Sequence, residues 1–279
     1  MRPKLIIVIF IVFLLSGCGI AQAEVNPKIE ESAYSEKTLE LKGTYKLSVE
    51  CDSSNIEVYC WKRDNIKFEI TRRVKGAYKK DVILEKLGEF KIDIKNEKDE
   101  VALISRYEGK HKNSIERSAD FKIYVPKVID TMDYKVDSGN IRIYDDIRGS
   151  LNAELNNTNL EINRFNGVLN VTGNAGNVKV SGGKMSENSN VKKNNGNISI
   201  KSEFDENGEY TFNTGRGRID LYVPSDSRAS FETVGELEIN EFADRQSLKL
   251  LTGSEAKLSD KLGRVRINSG FGGISVRKY

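Results

Sequence analysis

From Ser138 onward one short phrase, a small turn residue followed by aliphatic, polar, aliphatic, keeps returning, and its spacing restricts the fold more than any other feature. It reads Gly139-Asn140-Ile141-Arg142-Ile143, then Thr158-Asn159-Leu160-Glu161-Ile162, then Gly176-Asn177-Val178-Lys179-Val180. Its first aliphatic position recurs at Ile141, Leu160, Val178, Ile198, Ile219, Leu237, Ala256 and Ile274, with gaps of 18 to 21 residues. The position two later is also aliphatic throughout, from Ile143 to Val276. Alternation with period two means a strand with one buried face. Self-similarity near twenty residues means stacked coils, each adding a rung to a parallel sheet.

A weaker series lies half a period away, at Leu151, Leu169, Val191, Tyr210, Leu248 and Val265, each close behind a glycine, serine or asparagine. Each coil therefore holds at least two strands, with Gly and Asn at the corners, where positive φ and local hydrogen bonding are needed. The expected fold is all-β, a parallel β-solenoid (β-helix) of coils of about 19 residues, and eight rungs make a rod roughly 38 Å long. Lys193 departs from the pattern, standing where an apolar residue is wanted, and the register is unclear from Ser225 to Thr233. The competing architecture is a sandwich of antiparallel hairpins, which also suits closely spaced short strands.

At the start, Arg2 and Lys4 precede eleven apolar residues, Leu5 to Leu15. Eleven is short of the roughly twenty that span a bilayer but suits the apolar region of a signal peptide over residues 1–17. The following Leu15-Ser16-Gly17-Cys18 resembles a bacterial lipobox, which implies lipidation at Cys18, an extracytoplasmic location and a partner in the bacterial cell membrane. Ordinary cleavage after Ala21-Gln22-Ala23 is the alternative. A diacyl anchor holds where a single chain only visits. Residues 18–38 carry neither period and read as a flexible tether, leaving 39–279 as the solenoid domain.

With Arg2 and Lys4 removed, the 44 basic residues fall to 42 against 41 acidic. A nucleic-acid partner calls for a basic excess, so none is expected.

Tyr45 to Val49, Asn55 to Tyr59 and Ile66 to Thr71 look like the first coils. Residues 81–90 fit a short helix on Val82, Leu84, Leu87 and Phe90. Phe90 to Lys95 and Val101 to Tyr107 fit a hairpin. Together, residues 76–118 read as an insertion that caps the first coils, because an open terminal rung recruits other strands; a binding role for the same excursion is the alternative. The solenoid resumes at Phe121, with Ile123 eighteen residues before Ile141, and Arg277-Lys278 blunts its last rung.

Chemistry is sparse. His111 is the only histidine and sits in a charged, loop-like stretch. Besides Cys18 there are Cys51 and Cys60, expected as two buried thiols, since about four strand residues, roughly 13 Å, separate Cys60 from the corner beside Cys51; a disulfide is the other outcome. Corner asparagines make poor calcium cages, and no cofactor or metal is expected. Along the outward column Arg142, Glu161 and Lys179 alternate in sign, which suits ion pairs between rungs. Asp220 and Glu238 are the one pair of acids expected on adjacent rungs, and so the one candidate dyad for a polysaccharide-active enzyme. Tyr59 and Trp61 have the parity of outward-facing residues and are the candidate surface-binding residues.

The phrases Val125-Pro126, Asp137-Ser138-Gly139-Asn140-Ile141, Tyr222-Val223-Pro224 and Gly272-Gly273-Ile274-Ser275-Val276 resemble a bacterial family of cell-envelope repeat domains of unknown function, labelled putative adhesins. That resemblance, over Leu39 to Tyr279, implies a β-solenoid on the envelope and supplies no catalytic residue. The reading is a non-enzymatic lipoprotein that displays its surface to an unknown protein or glycan. An envelope-stress regulatory or assembly factor that binds a membrane protein is the first alternative, and the polysaccharide-active enzyme the second.

Overall fold

A computed structural model of the chain describes residues 27–41, 43, 45–110, 115–186, 188–242 and 262–279. The signal region, Cys18, His111, Leu248, Ala256 and Leu258 lie outside the described residues. The fold is all-β and solenoid-like, with one small helix among the described residues.

The elements in chain order are β1 (Ile29–Glu40), β2 (Lys46–Trp61), β3 (Asn65–Gly76), α1 (Lys80–Gly88), β4 (Phe90–Glu97), β5 (Glu100–Tyr107) and β6 (Glu116–Pro126). A long extended run, β7 (Val128–Ala175), follows, then β8 (Val178–Val180), β9 (Gly183–Met185), β10 (Asn190–Asn195), β11 (Ile198–Lys201) and β12 (Glu203–Phe204). The chain ends with β13 (Glu209–Arg216), β14 (Ile219–Val223), β15 (Ala229–Asn240) and β16 (Gly263–Lys278).

The aliphatic columns file through the interior. Leu160 pairs with Val178, Val178 with Ile198, and Ile198 with Ile219, always in parallel. On a second face of the stack Val171, Val191, Phe212 and Ile267 are successive parallel neighbours. A third, shorter face pairs Phe165 with Gly183 and, two residues on, Met185 with Gly167 and Phe204. These side chains are almost fully buried, which is what strict alternation of apolar and polar residues demands of a strand with a single wet face.

Stacking order departs from chain order at both ends. Ile123 and Ile143 both pair with Val58, so β2 stands between β6 and the first rung of β7, and Ile123 is not the neighbour of Ile141. At the other end Ile219 and Leu237 both pair with Ile274, so the C-terminal strand β16 is inserted between β14 and β15. Among the described residues the terminal rung is therefore β15, and Arg277-Lys278 lie on β16, one rung inside it. A constant spacing fixes which residues share a column and says nothing about which rung lies beside which.

The first strands are corrected as well. The tether expected over 18–38 gives way to strand at Ile29, where β1 runs antiparallel to β3 in continuous register to Glu40–Asn65. Polar residues suffice on an edge strand because main-chain hydrogen bonds and cross-strand pairs such as Lys67–Glu36 at 3.0 Å hold it. β3 is antiparallel to β6 rather than a coil of the stack. In the 76–118 excursion α1 buries Ile83 and Leu87 and leaves Leu84 exposed. The β4–β5 hairpin lays β5 in parallel against Lys46–Cys51, so part of that excursion is itself a rung.

Corners are held by stacked amides. The Asn140 side chain donates to Asn55 Oδ1 at 2.8 Å and the Asn159 side chain to Asn140 Oδ1 at 3.0 Å. Asn159 Oδ1 then accepts the backbone N–H of Asn177, and Asn177 Oδ1 that of Asn197, each at 2.8 Å. Asp120 accepts from Asn55 at the start of the file, and Asn197 Oδ1 accepts the backbone N–H of Arg218 at its end. The asparagines thus satisfy corner N–H groups that no sheet ladder reaches.

Candidate functional site

On the outer surface of the sheet, across β6, β2 and β7, four rings form a row. Tyr59 stacks on Tyr144 with centroids 4.8 Å apart and on Tyr124 at 5.4 Å, and Trp61 stacks on Tyr124 at 5.3 Å. The rings come from three adjacent strands, β6, β2 and β7, whose registers put Tyr124, Tyr59 and Tyr144 side by side. Stacked aromatic neighbours across strands contribute beyond their buried area.

Geometry restricts what this row can do. Both faces of Tyr59 are covered by other rings, and the Arg63 guanidinium lies over Trp61 at 5.0 Å. The Trp61 indole N–H is tied to the Asn65 carbonyl at 2.8 Å. Glu57 accepts from the Tyr59 hydroxyl at 3.1 Å and from the Tyr144 hydroxyl at 3.2 Å. Burial, then the Glu57 carboxylate, pushes the Tyr59 phenol up to about 12, so it stays neutral at physiological pH. Tyr59 therefore presents its ring edge and hydroxyl, and the row is open at its Tyr144 end.

Tyr59 and Trp61 are therefore brought together as their parity implied, half-buried by their own neighbours. Tyr124 and Tyr144 were missed by sequence reasoning. The signal was present for Tyr144, which follows Ile141-Arg142-Ile143 as Tyr59 follows Ile56-Glu57-Val58.

Asp220 and Glu238, the candidate dyad of the enzyme alternative, do not stand on adjacent rungs. Asp220 pairs in register with Ser275 of the intervening β16. Arg218 sits between the acids, its Nε 2.8 Å from Asp220 and its Nη1 2.6 Å from Glu238. The guanidinium ties each carboxylate into an ion pair, so the two acids face Arg218 and not a shared substrate position. The alternating column does pair, Arg142 to Glu161 at 3.8 Å and Lys179 to Glu161 at 3.0 Å.

Cys51 and Cys60 are free thiols, the first buried and the second half-buried. Burial pushes both up to about 12, which leaves them inert as nucleophiles. The Cys60 backbone N–H donates to Asp145 at 2.8 Å, and Asp146 holds Lys127 at 3.2 Å, so this acid pair is already engaged.

Comparison with known proteins bears on the fold and family. No curated protein matches the chain in sequence. Among solved structures it is similar to a putative cell adhesion protein from Clostridium sporogenes at 13% identity and a TM-score of 0.37, over 89% of this chain and 100% of that one. It is also similar to a putative adhesin from Bacteroides fragilis at 14% identity and a TM-score of 0.34, over 88% of this chain and 97% of that one. The family model described as Toastrack DUF4097 matches residues 44–204, more than half the chain. That span contains Val125-Pro126 and Asp137 to Ile141, two of the phrases on which the resemblance to the cell-envelope repeat domains rests, and the chain belongs to the Toastrack DUF4097 family.

Proposed function

We propose that this chain is a non-enzymatic binding module, a solenoid of coils of about 19 residues held on the bacterial envelope by lipid on Cys18, that offers its outer faces to a protein or glycan. The observation that carries the reading is how the outer surface is used. Its charges are paired along the stack, and the only acid pair suggested for catalysis is bridged by Arg218. Such a surface keeps register and offers area, and the row Trp61, Tyr124, Tyr59 and Tyr144 adds rigid aromatic contact of the kind enriched at interfaces.

Crosslinking in native envelopes, followed by recovery of partners, tests the display role. The expected result is a protein or wall-glycan partner whose recovery falls at least fivefold in Tyr144→Ala, a change at an exposed end of the row. Equal recovery from wild type and variant would remove the row from the contact, and turnover of a wall glycan by the purified protein would remove the non-enzymatic reading.

The anchor has its own test. Cys18→Ser is expected to move most of the protein from the membrane fraction to the soluble one and to abolish incorporation of an alkyne fatty acid. Retained incorporation would place the lipid elsewhere or refute the anchor.

A further inference from the structure

Three chain reversals meet beside Trp61 and enclose an open cleft of about 640 Å³, within the size range of small-ligand sites. They are the β1–β2 link at Leu41 and Tyr45, the β2–β3 link at Trp61 to Asp64, and the β6–β7 link at Pro126 to Val128. We infer that this cleft binds an anionic amphiphile, a molecule with a carboxylate or phosphate head and an aliphatic body.

Two features of the lining carry this. The walls are apolar, made by Leu41, Trp61, Pro126 and Val128 over the buried ring of Tyr45. Val128 is 62% exposed, a large aliphatic side chain left in water at the mouth of a concave site. The rim is cationic: among the described lining residues Lys62, Arg63 and Lys127 stand against the single carboxylate of Asp64. Lys127 is held by Asp146 at 3.2 Å, so Lys62 and Arg63 are the charges placed to meet a head group. Arg63 lies over the Trp61 ring, which joins the cationic part of the site to the apolar part.

Each simpler ligand matches half of this lining. Inorganic phosphate would satisfy the rim and leave Val128 and the Trp61 wall wet. A neutral lipid would cover the wall and leave the cations without a counter-charge. A metal cation finds one carboxylate and three positive groups. Described parts of the lining are tied down by the fold itself: Leu41 N–H donates to the Asp64 carbonyl at 3.2 Å, Asp130 N–H to the Tyr45 carbonyl at 3.2 Å, and the Trp61 indole to Asn65. A preformed site saves the cost of ordering loops on binding. The inference does not depend on what the outer faces display.

Trp61 is the only tryptophan in the chain, so intrinsic fluorescence reads this cleft directly. Titrating the lipid-free chain from Gly19 onward with decanoate, kept below its micelle concentration, is expected to give a saturable change in emission. Decanol and inorganic phosphate are the control ligands, and each is expected to act at least tenfold more weakly. The double variant Lys62→Glu, Arg63→Glu and the single variant Val128→Asp are expected to weaken the decanoate response at least tenfold. All three positions are exposed, and unchanged circular dichroism melts verify that the variants fold; should the double variant melt early, Lys62→Gln with Arg63→Gln replaces it, with a loss of at least threefold. Vesicles of zwitterionic lipid with and without anionic lipid then separate a membrane headgroup from a free amphiphile as the source. The inference is overturned by the absence of a saturable decanoate response, by decanol or phosphate matching decanoate, or by variants that respond as wild type does.

Discussion

Replacing Gly139 with alanine is expected to lower the melting temperature by about 10 °C, with roughly 4 kcal/mol lost from the folded state. Gly139 opens the organising phrase and turns the chain into the Ile141 strand with φ +132°, a region that side chains with a Cβ rarely adopt at a strain of about 1–3 kcal/mol. The added methyl would also meet the Ser54 carbonyl oxygen at 1.8 Å, and that oxygen is backbone in the neighbouring rung, so relief requires the rungs to separate. Overpacking of this kind adds about 1–3 kcal/mol. The contrast is Gly88→Ala at the end of α1, where the new methyl meets nothing within 4 Å; it is expected to be neutral or to stabilise by up to about 1 kcal/mol. Thermal melts of the two variants check this, and similar melting temperatures would mean that β2 and β7 do not pack as closely as described.

That corner also shows which parts of the fold sequence could reveal. The columns Leu160, Val178, Ile198 and Ile219 were legible because period-two alternation records burial directly, and a fixed repeat aligns one rung with the next. Order was not legible. β2 slips between β6 and β7, and β16 between β14 and β15, because any strand carrying the same two aliphatic positions fits the same columns. Asp220 and Glu238 were misjudged for this reason: eighteen residues apart, they look like neighbours until a strand from the C-terminus separates them. β1 was hidden for a different reason, since an edge strand wet on most of its surface shows no period. In the aromatic row, parity placed Tyr59 and Trp61 outward, but their partners lie 63 to 85 residues away, and only the registers bring Tyr124 and Tyr144 beside them. The cationic cleft was out of reach of any pattern, because it is made by three reversals that share no motif.

Lys193 was visible as an exception, and its surroundings predict how stability changes with pH. It occupies an interior column position at 1% exposure, with Nζ 3.1 Å from the Leu155 carbonyl and 2.9 Å from that of Ala175. Two carbonyls match the two N–H groups of a neutral amine, and among the described residues no carboxylate pairs with Lys193. Gly173 leaves the room, since a methyl there would come within 2.8 Å of Nζ. Burial without a counter-ion pushes the amine down to about 8 from its ordinary 10.5. The sign follows from proton binding: between these values the unfolded chain holds the proton more tightly than the folded one, so stability rises with pH. The destabilisation is full below about pH 8 and disappears as pH climbs through the unfolded value near 10.5. Lys193→Met keeps the length and removes the titrating group. Relative to that variant, the wild type is expected to gain about 2 kcal/mol between pH 7 and pH 10, or roughly 5 °C in melting temperature. Taking the difference cancels the tyrosines, which titrate in both proteins. Paired denaturation curves at the two pH values measure it, and a gap that stays constant would show that the Lys193 amine keeps its proton inside the stack, held there by the two carbonyls more strongly than burial opposes it.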